Sequence, residues 1–151
     1  MQIRPATPGD RVRMTEIWLE GSRQAHEFIP AAYWESKAEE MREHYLPMAD
    51  SWVMEGVAAD GGIAGFVSLV GDYLAALFID PERQGEGLGG RLLKQAQAER
   101  SSLTLKVYEQ NERAAAFYKR HGFTELEKTL DEATGESERV LHWTSTGESQ
   151  E

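Results

Sequence analysis

The segment Leu77-Phe78-Ile79-Asp80-Pro81-Glu82-Arg83-Gln84-Gly85-Glu86-Gly87-Leu88-Gly89-Gly90 constrains this chain more than any other. An apolar strand runs into a proline stop, then a glycine-rich turn, then a helix expected over Gly90–Glu99. Four of the six residues from Gly85 to Gly90 are glycine, so the turn is nearly bare of side chains. A polyanion can approach such a backbone closely, and the unpaired amides at a helix start point at it. The segment therefore reads as the cradle of a phosphorylated ligand. An ordinary strand–helix connection rich in glycine satisfies the same pattern.

Three phosphate-binding patterns compete for it. A P-loop needs Lys and then Ser or Thr after its last glycine, whereas Arg91 and Leu92 follow Gly90. The dinucleotide fingerprint G-x-G-x-x-G is met literally by Gly85, Gly87 and Gly90, with Glu109 about 20 residues on. That fingerprint would begin mid-chain, leaving about one βαβ unit for a fold that needs several. The third pattern, Q-x-x-G-x-G, is met by Gln84, Gly87 and Gly89.

Downstream, Leu103–Tyr108 alternates as a strand does, and Asn111-Glu112-Arg113-Ala114-Ala115-Ala116-Phe117-Tyr118-Lys119-Arg120-His121-Gly122-Phe123 follows. Ala114, Phe117, Tyr118 and His121 fall at helical spacing, and Gly122 suits the position just past a helix end. Together, Q-x-x-G-x-G and N-x-x-A-x-x-F-Y-x-x-x-G-F resemble the two signatures of the GCN5-related N-acetyltransferase (GNAT) family, over most of the chain from Ile3 to Trp143. The segment Ala25-His26-Glu27-Phe28 further resembles one bacterial branch of that family, the YjaB-like acetyltransferases.

The resemblance implies an α/β fold: a mostly antiparallel twisted sheet of about seven strands, with four helices on its two faces. Its fourth and fifth strands, Tyr73–Ile79 and Leu103–Tyr108, would run parallel and splay apart around the pantetheine arm of acetyl-CoA. Backbone amides of Leu77, Phe78 and Ile79 would pair with that arm. Those of Gln84, Gly85, Glu86, Gly87, Leu88, Gly89 and Gly90 would hold the pyrophosphate. Asn111 would hydrogen-bond the same cosubstrate, a role compatible with capping the helix that starts at Glu112. The implied reaction is direct transfer of the acetyl group to a primary amine of a small molecule or of a protein or peptide. Tyr118 would protonate the leaving thiolate, unless its ring merely packs in the core. A backbone amide near Phe78 or Ile79 would stabilise the oxyanion. His26, which titrates near neutrality, is the candidate base; Glu27, Glu55 and Tyr73 are alternatives. The acceptor would be bound by His26, Glu27, Phe28 and Tyr73. Phe28, Tyr33, Trp34 and Tyr45 either wall its pocket or form the apolar face of the second helix; Trp34 and Tyr45 fit the helix face better. His44, His121 and His142 read as surface or packing residues. Glu86 departs from the family by placing an acid beside the phosphates, with Arg83 and Arg91 available to offset it. A non-catalytic acyl-CoA sensor on the same fold is the alternative function, and a dinucleotide oxidoreductase the third.

Composition bounds the rest. A chain of 151 residues with 40% hydrophobic and 28% charged residues suits a single domain, expected over residues 1–144, with a flexible polar tail at 145–151. The absence of cysteine removes disulfides, zinc–thiolate sites and cysteine nucleophiles, and no metal is expected. A net charge of −10 argues against nucleic acid and is compatible with a cationic acceptor or with a merely soluble surface. No apolar run approaches the length of a membrane span and no signal-peptide core opens the chain, so a cytoplasmic location and no membrane partner are expected. Either a monomer or a homodimer is compatible with the sequence.

Local signals predict the remaining elements: a strand at Gln2–Arg4, and a helix capped by Thr7 and running to about Gln24. A break over His26–Pro30 precedes a second helix, Ala32 to Tyr45, stopped by Pro47. Strands follow at Trp52–Ala58 and Ile63–Val70 around a turn at Ala59–Gly62, with a second turn at Gly71-Asp72. A closing pair is expected at Glu125–Leu130 and Arg139–Trp143.

Overall fold

The computed structural model describes residues 2–56 and 62–145. Seven strands form one sheet in the order β1-β2-β3-β4-β5-β7-β6. They are β1 (Gln2–Pro5), β2 (Asp50–Glu55), β3 (Ile63–Val70), β4 (Tyr73–Ile79), β5 (Ser102–Tyr108), β6 (Thr124–Asp131) and β7 (Glu136–Thr144). Among the described residues only β4 and β5 run parallel. Four helices cover the faces: α1 (Arg11–Ala25), α2 (Ala31–Glu40), α4 (Leu88–Glu99) and α5 (Glu112–Arg120), with a three-residue helical turn, α3 (Leu46–Met48), following α2. The turn expected at Ala59–Gly62 and the tail beyond Ser145 lie outside the described residues, apart from Gly62.

The two-residue period of the strands divides the core between the faces. Met54, Val67, Leu103, Leu105 and Leu141 meet Leu92, Leu93 and Ala96 of α4 and Tyr118 of α5. Their neighbours Val53, Phe66 and Ala76 point the other way, onto Met14 and Ile17 of α1. Each fully buried leucine contributes roughly 1.5–3 kcal/mol.

Most expected elements form where local signals place them, and the departures have local causes. Thr7 and Asp10 make a capping box, but the turn it opens, Pro8–Asp10, is a 3-10 turn leading into α1. Helix α4 begins at Leu88, two residues before the expected Gly90, with Gly87 at its N-cap in a left-handed conformation (φ +79°) that glycine adopts freely. Pro47 does not stop the second helix at Tyr45. A π turn over Met41–Tyr45 widens the coil, with the Leu46 amide donating to the Met41 carbonyl, so that Pro47 enters a further helical turn. Among the described residues no helix is long and apolar enough to cross a membrane.

Candidate active site

Strands β4 and β5 share a single register pair, Tyr73 with Thr104, and part beyond it. Asp80 donates its amide to the Ala64 carbonyl at 2.8 Å. Because pairing alternates along an antiparallel ladder, the Phe78 amide belongs to the β3–β4 ladder, while the N–H groups of Leu77 and Ile79 face the gap. Phe78 was expected among the open amides; its amide is occupied, and its ring stacks on Phe66. Leu77 and Ile79 therefore present two open amides on the edge facing β5.

At the end of this edge the chain enters the glycine loop. The Asp80 carboxylate accepts from the Glu82 amide at 3.0 Å and from Arg13 of α1, which anchors the loop entry. Gln84, Gly85, Glu86 and Gly87 are exposed. Gly85 and Gly87 have φ of +87° and +79°, with nothing within 4 Å of where a side chain would begin. Leu88 plugs the core, while Gly89 and Gly90 lie against Phe117 and His121. The first amides of α4 have no partner within the helix. Glu86 is drawn off by Arg83 at 3.3 Å, so the acid turns toward a cation of its own loop.

Helix α5 carries Tyr118 and is capped by Asn111, two more of the expected residues. The Asn111 side-chain oxygen accepts from the Ala114 amide at 3.2 Å, capping the helix. Its amide nitrogen lies 3.3 Å from His26 Nε2, joining residues 85 positions apart. With the Asn111 oxygen committed to the cap, its NH2 donates and Nε2 accepts. Tyr118 is buried, its ring packed on Phe117 and Phe123. Burial, and secondarily Tyr73, push its phenol well above the ordinary tyrosine range, so it keeps its proton at any working pH.

On the opposite face, α1, α2 and the π turn enclose a cavity of about 360 Å³ with β3 and β4. Trp18, Tyr33, Trp34, Tyr45 and Tyr73 supply aromatic walls, and Lys37 and Glu40 lie 3.9 Å apart among its lining residues. Tyr73 is 38% exposed. Burial and the charge of Glu138 push its phenol up to about 12. Tyr45, expected on the packed helix face, stands 46% exposed at the cavity. The π turn shifts the helical register, so the spacing from Trp34 no longer carries Tyr45 inward. Trp34 both packs in the core and lines the cavity.

His26, Glu27 and Phe28 do not line this cavity. Glu27 is exposed. His26 sits against Phe28, Trp34 and Tyr108 with ring centroids 5.0–5.8 Å away. Burial lowers its pKa to about 4, against a smaller opposing pull from the Ser22 carbonyl, which is near Nδ1 without completing a hydrogen bond. A neutral imidazole whose acceptor nitrogen is already bonded holds Asn111 in place; it is poorly suited to take a proton at neutral pH. Glu55 is bonded to Arg4 at 3.1 Å within an Arg4–Asp10–Glu55 network at the β1–β2 edge of the sheet, away from the β4–β5 gap. His121 packs on Phe117. Among the described residues no cluster of His, Asp or Glu could hold a metal ion. The β5–β7 register also brings Glu138 opposite Tyr108. No local pattern marks it.

The model of the Acetyltransferase (GNAT) domain matches residues 49–125. The peptidyl-lysine N-acetyltransferase YiaC of Escherichia coli is 34% identical over 142 residues, covering 93% of this chain and 95% of that protein. The solution structure of apo YjaB from Escherichia coli superposes with a TM-score of 0.80 at 30% identity, covering 94% of this chain and 96% of the other. The PaiA N-acetyltransferase of Thermoplasma acidophilum, solved with coenzyme A, shares the fold with a TM-score of 0.76 at 20% identity and covers 95% and 98%.

A mixed sheet opened between two parallel strands, with a glycine cradle on one strand's end and an aromatic cavity beside it, defines an acyltransferase of the GNAT class. The chain belongs to the GNAT family and is an N-acetyltransferase. Among the described residues the one parallel pair leaves no place for the repeated βαβ units that the dinucleotide reading needs.

Proposed function

We propose that the chain acetylates the side-chain amine of lysine in a protein or peptide, with acetyl-CoA as donor. The observation that carries this reading is the juxtaposition of the open β4 edge and glycine loop with the aromatic-walled cavity across the sheet. The identity of the acceptor is supported by the relatives, YiaC and YjaB, which are named peptidyl-lysine N-acetyltransferases.

The residues fit the donor part by part. A peptide-like arm needs unpaired backbone groups, and Leu77 and Ile79 have them. A pyrophosphate needs converging amides and room, which Gly85, Gly87 and the first turn of α4 provide. When bound, acetyl-CoA supplies an activated acetyl thioester. The chain supplies the rest. The Ile79 amide, facing the gap, is the candidate oxyanion donor in place of Phe78. Tyr118 holds a proton at its phenol oxygen, available to a departing thiolate. Asn111, steadied by His26, fixes the start of α5 and with it the placement of Tyr118. The aromatic walls suit the aliphatic stem of a lysine and the positive head at its end.

The test is mass-spectrometric detection of acetyl transfer to lysine peptides with blocked N-termini, set beside thermal stability with acetyl-CoA, CoA and NAD(P)H. Stabilisation by CoA species with acetylated lysine is the expected result. Stabilisation without modification of any lysine peptide, but with turnover of small amines, would move the acceptor to a small molecule.

A further inference from the structure

One carboxylate on the cavity's face of the sheet, outside its lining, has no role in holding the fold or the donor. Glu138 lies on β7, opposite Tyr108 of β5 and Thr129 of β6. Leu141 of the same strand enters the core beneath α4 and α5. By the two-residue period, Glu138 therefore faces the α1–α2 side, which is the side of the cavity. It is half-buried, and its carboxylate makes no hydrogen bond or ion pair among the described residues.

The groups around it come from four elements. They are Lys106 and Tyr108 on β5, Asp131 on β6, Tyr73 on β4 and Tyr33 on α2. Asp131 is committed, accepting from the Tyr108 hydroxyl and from the Ala133 amide at 3.0 Å. At the cavity itself, Glu40 is matched by Lys37. Lys106 is exposed and forms no ion pair with Glu138; its charge acts on the carboxylate in the opposing sense, less strongly than burial or Asp131. Glu138 acts electrostatically on the phenols of both Tyr33 and Tyr73, and both line the cavity. Burial, and then Asp131, raise its pKa above the ordinary glutamate value. A half-buried, uncommitted carboxylate beside aromatic walls is unfavourable alone and favourable once a cation arrives.

We propose that Glu138 receives the acceptor's ammonium group and takes its proton, delivering a neutral amine to the mouth of the β4–β5 gap. The inference rests on the amine-acetylation reading above. One N–H bond of the ammonium breaks, its electron pair stays on nitrogen, and one O–H bond forms on the carboxylate. The proton then passes to solvent from the exposed side of Glu138.

Glu138→Gln keeps the shape and removes the charge, while Glu138→Asp keeps the charge. In the full chain, the thermal shift produced by acetyl-CoA should be the same in wild type and both variants. For a lysine peptide, kcat/KM should fall about 100-fold or more in Glu138→Gln, as loss of a general base does, and recover in part in Glu138→Asp. The low-pH limb of kcat/KM, which reports the free enzyme's base, should vanish in Glu138→Gln. A kcat/KM within about threefold of wild type, or a retained low-pH limb, overturns the proposal and leaves lysine acetylation standing. Loss of the acetyl-CoA shift in both variants would make Glu138 a structural residue and overturn it too. A wild-type chain that acetylates no lysine peptide sinks the acceptor reading, and this proposal with it.

Discussion

Gly87→Ala separates the conformation of the loop from its packing. Gly87 has φ +79° and nothing within 4 Å of an added Cβ, so the substitution clashes with no neighbour. Its cost is conformational. A side chain held left-handed loses about 1–2 kcal/mol, or else the backbone swings to negative φ and the cap of α4 is rebuilt. At roughly 2–4 °C per kcal/mol for a domain of this size, the unliganded midpoint should fall by about 2–8 °C. Wild type at a hundredfold excess over its dissociation constant gains about 2.7 kcal/mol from ligand, or roughly 5–11 °C. If the rebuilt loop misaims two amides, each worth about 1.5–3 kcal/mol toward a charged group, nearly all of that gain disappears. Gly71→Ala is the matched control. Gly71 is also left-handed (φ +58°) with no neighbour within 4 Å, but it sits in the β3–β4 turn away from the loop. It should lower the unliganded midpoint by a similar amount and keep the full acetyl-CoA shift. Thermal scans of the three proteins with and without acetyl-CoA decide the matter. A Gly87→Ala protein that keeps the full shift would place phosphate binding elsewhere and refute the reading of the loop.

Tyr118→Phe removes one hydroxyl from a buried ring; turnover should fall about 100-fold or more while the acetyl-CoA shift is retained, and unchanged steady-state turnover would remove Tyr118 as proton donor. His26 is held neutral by burial, with its pKa lowered to about 4, so between about 6.5 and 4 the unfolded chain binds more protons than the folded one. Its contribution is present above pH 6.5 and is lost as pH falls toward 4. Denaturant titrations should show stability dropping across that window, and His26→Gln should flatten the slope; an unchanged slope would mean that His26 is charged in the fold.

Much of the donor half is legible before folding because its chemistry is backbone chemistry. Gly85 and Gly87 announce positive φ, Asn111 announces a cap, and the bare loop before α4 announces converging amides. Each depends on residues a few positions apart. The acceptor half is legible only in part. Tyr73 lines the aromatic cavity, whereas His26 and Phe28 pack into an aromatic box outside its lining. The identity of His26 says that it can titrate, but its surroundings suppress that titration. Tyr45 reads as a packed residue until the π turn changes the register beneath it.

What the amino-acid order determined by itself is therefore the local grammar: strand alternation, caps, the left-handed glycines and the two motif strings around them. These follow from φ preferences and hydrogen-bond needs satisfied within one turn of chain. Only the tertiary structure decided which amides of β4 remain open, that Asn111 meets His26, and that Glu138 stands uncommitted near Tyr73. Those outcomes depend on strand register and on burial, which many distant residues set together, and no short stretch of sequence contains them.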